Sequence, residues 1–250
     1  MAADSQPDYS TRAYWDERYK VSLQPDADPD RGALFDWLCT YQDLCRFLEQ
    51  LPQAARVLDL GCGNSELAER LVTAHGLRAG SGSSIQVEAV DYSPLIVEHM
   101  AQHTEPLVSQ CVLQYQVMDA LCLGFRGSCF DVVIDKGCLD ALLNAYDQEE
   151  WWRRCGARGE CAYDGAASAH RAHQLVKEIA RVLHPGHGKL VLVRGGENGQ
   201  SGPASGCYCC IQFGGQVVGP MCRRWIGRVV GRSSTLATVM SIMNGCLRVL

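Results

Sequence analysis

The sequence predicts an α/β domain, a doubly wound and mainly parallel sheet, and three stretches predict it. Val57 to Glu66, VLDLGCGNSE, is an apolar run that ends in two glycines, and Leu67, Leu71 and Val72 then share one helical face. Val87 to Ser93, VEAVDYS, is a second apolar run ending in an acid, with a helical pattern starting at Pro94. Phe130 to Leu143, FDVVIDKGCLDALL, is a third run without polar alternation, as expected of a strand covered on both faces. In sheets built this way, ligands sit beyond the carboxyl ends of the strands, where strand order reverses.

The first turn sets the ligand class. Gly61 and Gly63 let backbone come close to a bound molecule, but a dinucleotide fold needs a third glycine, and here Asn64, Ser65 and Glu66 follow. A carboxylate in the first helical turn repels phosphate, so Asp59 and Glu66 suit a phosphate-free, positively charged nucleoside. The simpler alternative is a tight turn with no ligand. Asp91, with Tyr92 beside it, ends the second strand, where a carboxylate offers two acceptors side by side for the two hydroxyls of a ribose. Its alternative role is to cap the helix at Pro94. The run Gly76 to Ser84, GLRAGSGSS, reads as a surface loop that lengthens the distance between these two strands. Together these residues resemble the class I S-adenosylmethionine-dependent methyltransferases, which implies a Rossmann-like fold and S-adenosyl-L-methionine as cofactor.

The N-terminal part carries Tyr14 to Tyr19, YWDERY, with Trp15 and Tyr19 one helical turn apart. Phe35 to Trp37, FDW, leads into a helix over Tyr41 to Leu51. These aromatics either anchor an N-terminal helix on the core or cover the cofactor. The arrangement resembles the lysine and N-terminal methyltransferases that act on elongation factor 1-alpha. By that resemblance Trp15, Tyr19 and Trp37 are cofactor contacts, and a ring face beside a sulfonium is favourable.

Further along, Pro94 to His103 reads as a helix with Ile96, Val97 and Met100 inward, and Val112 to Val117 as a third strand. The resemblance makes Asp119 the acceptor for an adenine amino group and assigns the Ala120 amide to a ring nitrogen. An acid in a strand-to-loop turn is the alternative. Asp135, Lys136, Gly137, Asp140 and Ala141 match the subfamily's D-K-G-x-x-D-A block. By the same resemblance Lys136 meets the methionine carboxylate or the cofactor edge, and Asp135 and Asp140 face the mouth where an amine arrives. Lys136 and Asp140 also stand at the spacing of a helical ion pair. No catalytic residue is assigned.

Beyond Asn144 the pattern breaks. Tyr146 to Ser168 reads as an insertion before a helix over His170 to Leu183, a turn at Pro185 and Gly186 and a strand over Lys189 to Val193. The H-x-x-H pairs His170/His173 and His184/His187 have no glutamate or cysteine at ligand spacing, so they read as surface histidines and no metal is expected. From residue 195 on, the chain is glycine-rich, without acids after Glu197, with a C-x-C-C cluster at Cys207 to Cys210 and no match to a closing hairpin. The expected organisation is an N-terminal helical cap over 1–54, a cofactor-binding domain over 55–194, and a divergent or disordered tail over 195–250.

Composition bounds the function. Residues 1–197 carry net −10 and residues 198–250 net +5, which sum to the overall −5. An acidic catalytic part suits a basic protein substrate better than nucleic acid. Asp4, Asp8, Asp16 and Glu17 with no long apolar run argue against a leader or a membrane span, and fourteen cysteines then point to reduced thiols in the cytoplasm. The expected function is methylation of a protein lysine, such as one on a translation elongation factor. A small-molecule methyltransferase is the first alternative. The second is a catalytically silent interaction protein, motivated by the sheet edge that a missing hairpin would leave bare.

Overall fold

The structure is a computed structural model; it describes residues 7–24, 34–52, 54–79, 85–142, 167–194 and 207–212. In chain order the elements are α1 (Arg12–Ser22), α2 (Tyr41–Leu48), β1 (Arg56–Leu60), α3 (Leu67–Ala79), β2 (Gln86–Asp91), α4 (Pro94–His103) and α5 (Glu105–Ser109). There follow β3 (Leu113–Val117), β4 (Val132–Lys136), α6 (Cys138–Leu142), α7 (Ala167–Val182), β5 (Lys189–Arg194) and β6 (Cys207–Gln212). The strands form one sheet in the order β3-β2-β1-β4-β5-β6. Pairing is parallel from β3 through β5, and β6 joins β5 antiparallel, with Lys189 opposite Gln212 and Arg194 opposite Cys207.

The continuous apolar runs are explained by the two faces they cover. Along β1, Leu58 and Leu60 enter one core with Val90, Val133, Leu190 and Leu192 under α7. Val57 enters the other with Val87, Ala89, Ile134 and Val191, against α2 and α3. Side chains alternate in direction along a strand, so a sheet wrapped on both sides needs apolar residues pointing both ways. Strand order reverses between β1 and β4, and the carboxyl ends of those strands open a crevice there.

Several boundaries differ from the sequence expectation. Helix α2 stops at Leu48 rather than Leu51. Helix α3 runs through Gly76 to Ala79, where a loop is expected, because Leu67, Leu71 and Val72 pack one face and helix propagation carries the backbone past the glycine. Gly80 to Ser84 lie outside the described residues, as does the expected insertion apart from Ala167 and Ser168, which begin α7. Most of the 195–250 segment lies outside them too, but Cys207–Gln212 supplies the strand that the sequence reading did not find. It covers the edge of β5 whose exposure motivated the silent interaction protein.

Candidate functional site

The turn after β1 holds Gly61 at φ +67° and Gly63 at φ +53°, a conformation that L side chains rarely adopt. A Cβ on Gly61 would lie 2.9 Å from Cys138 Cβ, and one on Gly63 would lie 3.0 Å from the Tyr19 hydroxyl oxygen. Both glycines therefore border a cavity of about 270 Å³ that opens at the carboxyl ends of β1, β2 and β4. Trp15, Tyr19, Trp37, Gly61, Gly63, Asp91, Tyr92, Asp119, Ala120 and Lys136 all line it. Asp59 does not; it sits 2% exposed at the end of β1, next to that turn.

The acids divide their bonding between the fold and the cavity. Asp91 Oδ2 accepts from Gly63 N at 3.1 Å and Oδ1 from Ser93 N at 2.9 Å, so it ties the glycine turn to the start of α4. Each carboxylate oxygen still has a second lone pair for a ligand, so the capping and ligand readings of Asp91 are compatible. Burial raises its carboxyl to about 6. Asp119 accepts from Leu121 N at 2.8 Å, a local turn that also leaves acceptor capacity.

Burial likewise pushes Asp59 up to about 7, with Lys136 pulling the other way. Its Oδ2 is buried and has no hydrogen-bond partner among the described residues. Positive charge nearby, on Lys136 or in the cavity, favours its ionised form.

The N-terminal segment closes the cavity from above. Trp15 packs at a tilt against Trp37 (5.3 Å between ring centroids) and Tyr19 (5.9 Å), while Tyr9 meets Trp37 at 5.9 Å. Trp15 Nε1 donates to Tyr9 O at 2.7 Å. Polar links hold this segment to the sheet: Phe35 N donates to Asn64 O at 2.9 Å, Ser93 Oγ donates to Asp16, and Ser65 Oγ donates to Asp36.

Lys136 departs from the expected pairing. Its ammonium lies 3.1 Å from Asp36 Oδ1 and donates to Trp37 O at 3.2 Å, so it fastens the FDW loop over the strand ends while its stem lines the cavity. Asp135 also departs. It is fully buried, and both its oxygens accept from Leu139 N at 3.2 Å, capping α6 instead of facing the mouth. Neither Asp135 nor Asp140 lines the cavity.

The profile of a family described as "Methyltransferase domain" matches residues 51–193, more than half of the chain. The chain belongs to this methyltransferase family. Its sheet order is that of a Rossmann-like class I methyltransferase fold. Among curated proteins it is similar to EEF1A lysine methyltransferase 4 of Mus musculus, 32% identical over 71% of this chain and 58% of that protein. It is also similar to the eEF1A lysine and N-terminal methyltransferase of Danio rerio, 32% identical over 56% of this chain and 18% of that one. The chain thus spans 58% or less of these relatives' lengths. A SAM-dependent methyltransferase from Methanosarcina mazei aligns with a TM-score of 0.43 at 20% identity over 61% of this chain and 58% of that chain.

S-adenosylmethionine is the cofactor of this methyltransferase domain, and the residues present fit it. A glycine cradle admits backbone-close contact, no third glycine or basic side chain in that turn calls for a pyrophosphate, and the acids Asp91 and Asp119 on the cavity wall, with Asp59 charge-coupled behind it, suit a positively charged group.

Some lining residues escaped the sequence reading. Arg18 stands inside YWDERY, with its guanidinium carbon 5.1 Å from the Phe35 ring centre and 5.9 Å from that of Trp15. Arg171, on α7, donates through Nη2 to Ser10 Oγ at 3.0 Å, while its buried Nε has no partner among the described residues. The motif contained a signal for Arg18. None existed for Arg171, which follows the 143–166 segment that lies outside the described residues and reaches the site only through the packing of α7.

Proposed function

We propose that the chain transfers a methyl group to a lysine of a protein substrate, of the kind its relatives' names indicate for eEF1A, and that the lining residues hold the cofactor. The observation that carries the reading is the meeting of Lys136 with Asp36 and Trp37. It draws the aromatic N-terminal segment and the D-K-G-x-x-D-A block, a hundred residues apart, onto one cavity.

In this reading Gly61 and Gly63 give the close backbone approach, Asp91 accepts from the ribose and Asp119 from the adenine edge. Asp59 complements positive charge, and Trp15, Tyr19 and Trp37 exclude water and present ring faces to it. When bound, the cofactor supplies an electrophilic methyl group. The protein's task is alignment, together with a dry mouth that favours the neutral form of the incoming amine.

The test is to incubate the purified chain with labelled cofactor and a cell lysate, resolve the products by protein, and then repeat with purified elongation factor 1-alpha. Label on a lysine-containing peptide of one protein is expected. Label confined to the small-molecule fraction would overturn the protein assignment and favour a metabolite substrate.

A further inference from the structure

At the amino ends of the central strands, the end of the sheet away from the cavity, lies a second group of chemically capable side chains. Asp131 precedes β4, His184 follows α7, and His187 stands in the turn into β5. One donor atom from each falls within 4.8 Å of the others. The His184 and His187 rings stack with centroids 4.8 Å apart at 22°, and His187 Nε2 lies 3.2 Å from Asp131 Oδ1.

The backbone around these residues is tied down. His184 N donates to Phe130 O at 2.9 Å, Lys189 N to Asp131 O at 2.8 Å, and Gly188 N to His184 O at 2.9 Å. A Cβ on Gly188 would lie 2.6 Å from His184 O, so this close turn requires glycine. Asp131 is oriented as well: its Oδ2 accepts from Arg56 N at 2.8 Å, which turns Oδ1 toward His187. The Arg56 guanidinium stands 3.6 Å from Glu88 and over the Phe130 ring, so its charge has partners of its own.

We propose that Asp131, His184 and His187 form a binding site for a divalent transition ion of the zinc class, clipping the start of β4 to the turn into β5. Two imidazoles and one carboxylate suit zinc, cobalt or nickel, whereas magnesium and calcium prefer all-oxygen sets. Three protein ligands leave a fourth position for water. Ligands at about 2.0–2.2 Å around one tetrahedral ion stand roughly 3.3–3.6 Å apart, so donors within 4.8 Å of one another must draw in by at most about 1.5 Å. The His187 side chain, 63% exposed, has room to do so. Read along the chain alone, H-x-x-H lacks a third donor, because that donor lies more than fifty positions upstream.

The chain's many cysteines also attract these ions, so the test must identify the ligands. Cobalt(II) is titrated into the reduced full-length protein and into His187→Ala and Asp131→Asn, the latter keeping an oxygen for the Arg56 amide. The wild type is expected to give visible d–d bands without thiolate-to-cobalt charge transfer, and each variant to bind at least tenfold more weakly with its affinity for S-adenosylmethionine unchanged. Equal cobalt affinity in wild type and His187→Ala, a spectrum dominated by thiolate charge transfer, or no binding below millimolar cobalt would overturn the site.

Discussion

Asp59 and the turn glycines carry the sharpest consequences at the residue scale. Burial raises the Asp59 carboxyl to about 7 and that of Asp91 to about 6, from an ordinary 3.8. A group whose folded value is raised holds a proton that the unfolded chain has released, so stability falls as pH climbs from about 4 to about 7. Asp59→Asn keeps the shape without the charge and should flatten that decline; melting curves of both proteins over this window check it, and identical slopes would contradict it. Because a cationic ligand favours ionised Asp59, cofactor binding near neutral pH should release on the order of half a proton, less in the variant. Calorimetry in buffers of different ionisation enthalpy measures this. Gly61→Ala forces a Cβ to 2.9 Å from Cys138 at positive φ and should cost about 1–2 kcal/mol in strain alone, with loss of cofactor binding. Asp91→Ala removes an acceptor shared by Gly63 N and Ser93 N and should abolish cofactor binding, whereas unchanged affinity by calorimetry would reject its assignment.

Between elements, the placement of α1 and the FDW loop decides whether the cavity has a roof. Asp16 reaches Ser93 at the start of α4, Arg171 on α7 reaches Ser10 ahead of α1, and Lys136 on β4 holds Asp36 and Trp37. These links come from three different parts of the sheet domain, so each should act separately on the roof. Asp16→Ala and Arg171→Ala should each speed hydrogen exchange and proteolysis in residues 7–24 while leaving β1 and β4 protected. Each lost bond is worth roughly 1–3 kcal/mol when a charged partner is removed. Equal protection of residues 7–24 in wild type and both variants would show that aromatic packing alone holds the segment. The motif pointed to Trp15 and Tyr19. It did not show that Asp16, between them, is the residue that docks the helix.

For the whole molecule, the sheet edge at β5 is the exposed risk that β6 removes. A chain ending at Arg194 would bare a strand whose Leu190, Val191, Leu192 and Val193 are all buried, and it should aggregate at concentrations where the full chain remains monodisperse by light scattering. Among the described residues no helix is long and apolar enough to cross a membrane.

What the sequence determined by itself was the parallel core and the ligand end of the sheet. Strands buried on both faces are mostly apolar, with acids only near their carboxyl ends, and a turn at positive φ favours glycine, so both preferences are legible residue by residue in VLDLGCGNSE and FDVVIDKG. Only the tertiary structure decided which charges meet. Lys136 with Asp36, Arg171 with Ser10, Asp16 with Ser93, and Asp131 with His187 join positions far apart in the chain, and such partners are selected by how helices and loops pack on the sheet, a choice that local spacing does not encode.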